Sequence, residues 1–520
     1  MESDQGLVDN RCPKIRIGRP TFLRLVMPIT LPSDQLEARS RQIESRIDSS
    51  GEKVWRLSQM SASDFLPHIA DHLRLGSDGP PSLSTLGSIW QLHHLRVGDS
   101  ELLTTTWCCK VPTNSSREVS EIPFTVSQGL LAIFRPGLAF AILHISPVSD
   151  DLNEWLDLRH YLRFYLKGRA RKLGVIGGPF NLTIADLIAP MVDTALFDYE
   201  AFPQSLAHAL TLDSFSRLHD ATIAVGEPFT KGELLTYSSN FVDDMDSAEV
   251  VEEELLSRVE GGFHSLQGHN LSGDTHIDER PFSRFKYQSQ QTFVLTIESS
   301  AFVACDAGES AFSNENLPDH LEKTYFVLFL LVHVQRFALT GLSARIVTTT
   351  TEAVQPRFDR DLRSQLARIV ELDRELLEFT ARSYYLQVSQ QYHHHRYYDT
   401  LRKLVQIESL FGEINTEISS LKSFVNSLVQ QEADRRANLV QLAVMAVTAI
   451  FVPAGVLLAL FAPKIRSWPG IESLSPVVSM WLTFSVLMAL VVSMLALHSL
   501  YRKSSGESHR RRDKTVSPPL

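Results

Sequence analysis

The sequence predicts an α/β cytosolic domain, a long helical stalk and two transmembrane helices at the carboxyl end. Three observations predict this class. Residues 439–462 are uncharged over 24 positions, and a second apolar stretch covers residues 477–501. A two-in-seven repeat of apolar residues precedes the first stretch. Strand and helix patterns alternate in the amino-terminal part of the chain.

The first apolar stretch is long enough to cross a bilayer. At about 1.5 Å per helical residue it reaches about 36 Å, against a hydrocarbon core of about 30 Å. A soluble core helix is the alternative, but such a helix normally has a polar face, and here Gln441 and Thr448 alone interrupt the apolar surface. We therefore predict transmembrane helices at 439–462 and 477–501, joined by an extracytoplasmic loop at 463–476.

Basic residues indicate the orientation of this hairpin. Arg435 and Arg436 precede the first span, and the tail at 502–520 is rich in Lys and Arg. Because Lys and Arg are enriched on the cytoplasmic side of membranes, we expect both termini in the cytoplasm. The prediction is a multi-pass integral protein of the plasma (inner) membrane.

Charge is distributed unevenly along the chain. The formal net charge is −10, but residues 439–520 carry eight Lys or Arg against three acids, a net of +5. Residues 1–438 therefore carry −15. A body this acidic raises the local cation concentration and disfavours nucleic acid as a partner. An ordinary acidic cytosolic domain accounts for the same charge.

Residues 1–316 are predicted to form the acidic α/β cytosolic domain, and residues 317–394 its helical region. Two apolar strand patterns followed by a helix occur at 129–166 and again at 292–342. This recurrence predicts an α/β sandwich, with a duplication as one explanation. A helix-helix turn is predicted at 388–395. Further strand and helix patterns lie at 15–31, 34–47, 86–95, 102–111 and 357–386.

The stalk helix is predicted from an apolar seam within residues 395–438. The seam residues recur at alternating spacings of three and four, the pattern of a helix that packs lengthwise against partner helices. With no Gly or Pro between the seam and the first span, one helix is expected from about residue 395 to 461, with copies of the chain assembling along it. The seam comprises Leu404, Ile407, Phe411, Ile414, Ile418, Leu421, Val425 and Leu428.

One face of the first span continues the three-four spacing of the seam. This face holds both polar side chains and several small residues, so it predicts a narrow pore with apolar constrictions at Met445 and Val452. Tight helix packing is the alternative, because small residues also mark helix interfaces in lipid. The predicted pore-lining residues are Gln441, Met445, Thr448, Val452, Gly455 and Ala459.

Other candidate sites are weaker. Asp243, Asp244 and Asp246 belong to an acidic run whose carboxylates suit a divalent cation such as Mg²⁺, but we favour a solvated helix start or a mobile loop as their explanation. His393, His394 and His395 are consecutive, so on a helix they point in different directions, and we expect an exposed polar turn. No nucleophile with a recognisable base is present in the sequence, and we predict no enzyme.

Residues 357–503, together with the acidic amino-terminal domain and basic tail, resemble the CorA family of divalent-cation channels. The most specific match is AIFVPAG at 449–455, where the family has an Ile-Phe-x-Pro step. The resemblance implies a homopentamer whose first span lines the pore, with Arg502 and Lys503 in a basic collar. One departure is clear: Ala462, Pro463 and Lys464 stand where the family has its Gly-Met-Asn filter. An ammonium group there opposes divalent entry.

These features predict a homo-oligomeric channel or transporter that moves metal cations, most simply divalent ions such as Mg²⁺, with no covalently bound cofactor. Its expected partners are copies of itself, the membrane and the metal ion. The alternatives are a membrane-anchored ligand-sensing or scaffold protein, or a ligand-gated membrane effector that does not transport divalent cations.

Overall fold

The chain forms two compact units, Met1–Asn426 and Ser427–Leu520. The computed structural model describes sixteen ranges of residues. They are 16–18, 20–30, 36–47, 51–58, 64–73, 85–97, 100–112, 119–135, 137–165, 170–196, 232–242, 256, 282–288, 290–305, 315–354 and 361–465.

A mixed β-sheet forms the centre of the first unit. Within the described ranges, eleven strands run in the order β11-β12-β13-β10-β1-β8-β7-β3-β2, with β6 between β7 and β9, and β4 and β5 pair separately. The β10–β13 pair is parallel. The strands are β1 Phe22–Thr30, β2 Trp55–Leu57, β3 Gly87–Leu92, β4 Arg96–Val97, β5 Ser100–Glu101, β6 Thr106–Pro112, β7 Val119–Phe134, β8 Leu138–Pro147, β9 Leu173–Val175, β10 Leu235–Phe241, β11 Phe282–Gln288, β12 Gln291–Thr296 and β13 Ser299–Ala304.

Strand β1 shows why the sheet is buried on both faces. It pairs antiparallel with both β8 and β10. Successive side chains of a strand point to opposite faces. Leu23 and Leu25 accordingly pack in one core cluster, whereas Phe22 and Val26 pack in the other. An apolar run without polar alternation is therefore the expected sequence of this strand.

Helices cover the two faces of the sheet. Helices α1, α3 and α4 pack on the face that contains Leu23 and Leu25. The other face is covered by α2 and by the helices that follow β13. The helices are α1 Leu36–Ser45, α2 Pro67–His72, α3 Leu152–Leu162, α4 Ile184–Leu196, α5 Leu317–His320, α6 Phe326–Val354, α7 Asp361–Arg382, α8 Tyr392–Leu404 and α9 Ile407–Ile465, with a π-helical turn at Leu321–Tyr325 between α5 and α6.

The predicted α/β class of the amino-terminal part is confirmed, because the first unit has a mixed sheet domain with helices. The two strands of the pattern predicted at 129–166 form the β7–β8 hairpin, and Gly137 at its turn has φ +79°, a conformation that glycine adopts without strain. The two strand-strand-helix patterns do not form equivalent repeats. Helix α3 packs on one face of the sheet and α6 on the other.

The segment Leu317–Thr351 is, within the described part of the chain, the one helix identified as long and apolar enough to cross a membrane. Most of it is buried against the sheet. Phe326, Leu330 and Phe337 each lie in the core cluster with sheet residues such as Phe140. Its apolar sequence is therefore explained by burial in the protein core.

The expected continuous helix from about residue 395 is interrupted. Helix α8 ends at Leu404, and α9 begins at Ile407. Between them Gln406 has φ +57°, in the left-handed region. Glutamine does not favour this left-handed conformation, and no Gly, Pro or Asn lies at the break. The break could therefore not be predicted from the sequence. From Ile407 the helix is unbroken to Ile465, three residues past the predicted end of the first span.

The apolar seam packs within its own chain. Ile414 and Ile418 belong to the core cluster on the second face of the sheet. Leu421 and Val425 are buried with Ile369 of α7. The seam was predicted to bring copies of the chain together, but in the structure these four side chains already have partners in the same subunit.

Candidate functional site

An exposed apolar surface of α9 begins where the seam ends. Large apolar side chains between residues 439 and 450 are 38 to 63% exposed, and the sequence contains no charge there. They are Leu439, Val440, Leu442, Val444, Met445, Val447 and Ile450. A contiguous apolar surface of this kind is unfavourable in water and indicates a lipid or protein partner. Its members point in all directions around the helix, as expected of a helix immersed in lipid.

Three of the predicted pore residues lie in the described part of this surface. Gln441, Met445 and Thr448 are all exposed. The Thr448 hydroxyl donates a hydrogen bond to the carbonyl oxygen of Val444, at 2.8 Å. Its donor is therefore satisfied inside the helix, while its lone pairs stay available to a neighbouring group or ion.

For the other predicted membrane residues, the structure describes either the backbone alone or nothing. The backbone of Val452, Gly455 and Ala459 is helical, and the helix includes Ala462, Pro463 and Lys464, but the side chains from residue 452 onward lie outside the description. The second span at 477–501 and the collar residues Arg502 and Lys503 lie outside the described residues. The same is true of Asp243, Asp244 and Asp246.

The three consecutive histidines are not an exposed turn. They lie in the first turns of α8, where His394 is fully buried and His393 and His395 are half-buried. The His394 ring is in contact with the Tyr325 ring, with centroids 4.9 Å apart. Burial, together with the neighbouring His393, lowers the pKa of His394 to about 3, so its imidazole is neutral. As expected for neighbours on a helix, only one of the three points into the cluster described next.

His394 meets two residues that are distant in sequence. One oxygen of Asp64 and one ring nitrogen each of His320 and His394 all lie within 4.8 Å of one another. Asp64 lies three residues before the start of α2, and His320 is the last residue of α5. The Asp64 Oδ2 is 3.1 Å from Nδ1 of His320. Within the described ranges this is the group identified as able to hold a metal ion.

The π-helical turn separates this cluster from a second buried polar group. Arg24 of β1, only 2% exposed, donates from Nε to Nδ1 of His144 at 3.1 Å, and its guanidinium donates to the Glu322 carbonyl oxygen. The guanidinium also lies 4.2 Å from the Phe326 ring centroid. Burial, and then the adjacent Arg24, lowers the pKa of His144 well below its usual range. These contacts fix the turn to the sheet.

Sequence reasoning missed the cluster of Asp64, His320 and His394. The three residues are separated by 256 and 74 positions, and none belongs to a metal-binding motif with fixed spacing. Only the packing of α2, α5 and α8 on one face of the sheet brings them together. The one feature of the sequence that pointed to this cluster was the run of three histidines, which we had interpreted as a solvent-exposed turn.

No protein-family model and no curated protein matches the chain. Among solved structures, the chain is similar to the full-length CmaX protein. The similarity covers 54% of this chain and 91% of that chain, with 13% sequence identity and a TM-score of 0.18. A TM-score this low does not establish a shared fold, so nothing is transferred from that protein, and no family is assigned.

Proposed function

We propose that this chain is a homo-oligomeric integral membrane protein of CorA type that moves metal cations, divalent ions such as Mg²⁺ foremost, across the membrane. The exposed, uncharged apolar surface of α9 between residues 439 and 450 carries the proposal. In this proposal 439–462 and 477–501 form a hairpin, with both termini cytoplasmic and residues 463–476 outside.

Cations are favoured over anions by the groups available. Gln441 and Thr448 offer neutral oxygen atoms on one face of the helix, and neutral oxygens suit an ion that keeps part of its water. The soluble part carries −15, which concentrates cations at the cytoplasmic end of such a pore. Lys464 is the opposing group, because a ring of ammonium charges at the outer end repels cations.

Assembly in this proposal rests on the membrane helix. The seam side chains Ile414, Ile418, Leu421 and Val425 are buried in their own subunit, which leaves them unavailable to a second copy. Gly455 and Ala459 lie four residues apart on the proposed pore face. Small residues at this spacing allow close approach of helices in lipid. Self-association between residues 439 and 462 therefore replaces the seam as the contact between copies.

Ion flux through purified protein in lipid vesicles tests the proposal. With an internal Mg²⁺-sensitive dye and an inside-negative potential, wild-type vesicles should take up Mg²⁺. Thr448→Phe should reduce the initial rate at least about tenfold, since a large ring blocks a pore narrow enough for hydrated-ion recognition. Lys464→Asn should increase the rate, because it removes one positive charge per subunit.

Ile450→Phe is the matched control. At 100° per residue, position 450 lies about 200° around the helix from position 448, so the same ring then faces away from the proposed axis. Its flux should equal that of wild type. Equal block by both variants, or loss of folding in either, points to packing damage instead of a pore.

A membrane-anchored sensor or scaffold is the second candidate, and the burial of the seam favours it. A subunit whose seam is already occupied does not need an oligomer to complete its core. In this case the soluble unit binds a ligand or partner and the spans serve as an anchor. This alternative would be supported if the protein is folded and bound to vesicles but conducts none of Mg²⁺, Co²⁺ and Ni²⁺.

A further inference from the structure

We propose that Asp64, His320 and His394 form a binding site for a first-row transition-metal ion of the Zn²⁺ class. The site lies in the first unit, within residues 64–394, and it is independent of any transport through the membrane helices. Flux in vesicles and metal binding to this cluster can therefore succeed or fail separately.

The ligand set selects the class of ion. Two imidazole nitrogens and one carboxylate oxygen suit Zn²⁺, Co²⁺, Ni²⁺ or Fe²⁺, whereas Mg²⁺ and Ca²⁺ prefer oxygen ligands alone. Three protein ligands leave at least one coordination position for water. The charge also fits, because a carboxylate offsets part of the dication and both histidines bind in the neutral form.

The spacing of the three groups is close to that of a bound ion. Ligand atoms about 2.0–2.1 Å from a tetrahedral Zn²⁺ lie about 3.3–3.5 Å from one another. The Asp64 and His320 atoms, 3.1 Å apart, already have nearly this separation. The widest pair is within 4.8 Å, so binding requires the group to contract by no more than about 1.5 Å.

Neighbouring side chains hold the ligands in orientation. The Thr324 hydroxyl, from the π-helical turn, donates to Oδ2 of Asp64 at 2.5 Å. The Ser389 hydroxyl donates to the Asp64 backbone oxygen at 2.6 Å and lies 3.4 Å from Nδ1 of His394. Such outer contacts fix the tautomer and ring orientation of metal-binding histidines.

One nitrogen of the cluster is unsatisfied. Nε2 of His394 is buried and, within the described part of the chain, has no hydrogen-bond partner. An unpaired buried polar atom carries a desolvation penalty that a bound ion would remove. The side chains of Asp64 and His320 are 11% and 29% exposed, so a path from solvent to the cluster exists.

A metal ion here would join three segments that are distant in sequence. It would link the turn that leads into α2, the end of α5 and the first turn of α8. Because such a site forms only in the folded chain, binding stabilises the fold. The competing interpretation is a plain His320–Asp64 ion pair with no metal.

Co²⁺ titration of the full-length chain in detergent separates these interpretations. The protein should carry no polyhistidine tag and be freed of metal with a chelator. We expect visible d–d absorption that saturates at one Co²⁺ per chain, a higher Tm in the presence of Zn²⁺, and no displacement of Co²⁺ by a hundredfold excess of Mg²⁺. His320→Gln and Asp64→Asn should each weaken binding at least about tenfold, because even loss of an outer contact costs 10- to 100-fold.

His68→Gln is the control variant, since His68 is exposed on α2 and is not a member of the cluster. It should bind Co²⁺ as wild type does. Equal affinity in wild type and His320→Gln, or no saturable binding in wild type, overturns the proposal.

X-ray absorption of the Zn²⁺-loaded wild-type protein tests the site without any substitution. Two imidazoles and oxygen ligands are expected in the first shell. A shell of oxygen atoms alone, or of more than two imidazoles, would show that the ion binds elsewhere.

Discussion

His333 places an ionisable ring in an apolar interior. Its ring centroid is 4.4 Å from that of Phe329 and 5.9 Å from that of Phe337. Both of its nitrogens are buried without a hydrogen-bond partner in the described part of the chain. Burial, and then the nearby Arg336, lowers the pKa of His333 well below 6.5 in the folded state. The folded chain therefore keeps this ring neutral.

This burial predicts acid sensitivity. Below about pH 6.5 the unfolded chain binds a proton that the folded chain excludes, so stability is complete above that pH and falls as the pH decreases. One such group costs about 1.4 kcal/mol at pH 5.5. His144 contributes in the same direction, because its pKa is also lowered by burial. His333→Leu should lose less Tm between pH 7.5 and 5.5 than wild type, measured on the full-length chain in detergent.

Phe337→Leu is the matched control for this measurement. It changes the same region of α6 without a titratable group, so it should lower Tm by a similar amount at both pH values. A pH dependence in His333→Leu equal to that of wild type would mean that His333 is already accessible to protons in the folded state.

Single residues also mark the limit of sequence reasoning. The His triplet was singled out, and its members were expected to point in different directions on a helix. One of the three, His394, belongs to the cluster with Asp64 and His320. Its burial was missed, because periodicity gives the direction of a side chain but not the element that packs over it. No sequence pattern indicated a role for Asp64 or His320, because their role depends on contacts between residues that are far apart in the sequence.

At the scale of elements, the helices were easier to predict from the sequence than the surfaces against which they pack. The helical pattern of residues 357–386 corresponds to α7. The seam residues from Ile407 onward lie on α9, but Leu404 lies on α8, before the break. A two-in-seven seam requires a complementary apolar surface, but it does not specify whether that surface belongs to the same chain or to a second copy. Here α7 and the core on the second face of the sheet supply it from the same chain.

The intrachain seam predicts the effect of shortening its side chains. Ile418→Ala should destabilise the first unit by about 2–4 kcal/mol, because it removes a side chain that is 1% exposed and leaves a cavity. The oligomeric mass in detergent should not change, since this side chain does not contact a second copy. Thermal unfolding and light scattering on the same sample measure both quantities.

Phe424→Ala provides the comparison for Ile418→Ala. Phe424 lies on the same helix but is 44% exposed, so its truncation should cost clearly less stability than Ile418→Ala does. A variant Ile418→Ala that keeps its Tm but dissociates into single subunits would place the seam between copies after all.

At the scale of the whole molecule, the α/β class of the first unit was predicted from the sequence, but its topology was not. The strand patterns at 129–145 and 292–305 correspond to two hairpins of one sheet. Strand β1 joins the two halves by pairing with β8 and β10, which are more than 100 residues away. Such pairings depend on long-range packing, which local periodicity does not encode.

The molecule contains two long apolar helical stretches with opposite surroundings. Leu317–Thr351 is mostly buried against the sheet, whereas residues 439–450 are exposed. Hydropathy alone does not tell a core helix from a membrane helix, because an apolar sequence is expected of both. An Asp substitution in each stretch should therefore have a different effect: loss of membrane insertion in one case and loss of folding in the other.

If residues 439–462 span the membrane as proposed, Ile450→Asp should weaken insertion by about 2.5–3.5 kcal/mol, because a carboxylate then lies near the centre of the proposed span. The protein should shift from the membrane pellet to the alkaline-carbonate supernatant, with its soluble unit still resistant to protease. Phe329→Asp instead buries an unpaired charge in the core and should make the first unit protease-sensitive. If Ile450→Asp left the protein as firmly in the pellet as wild type, the surface at 439–450 would be covered by protein and the membrane proposal would fail.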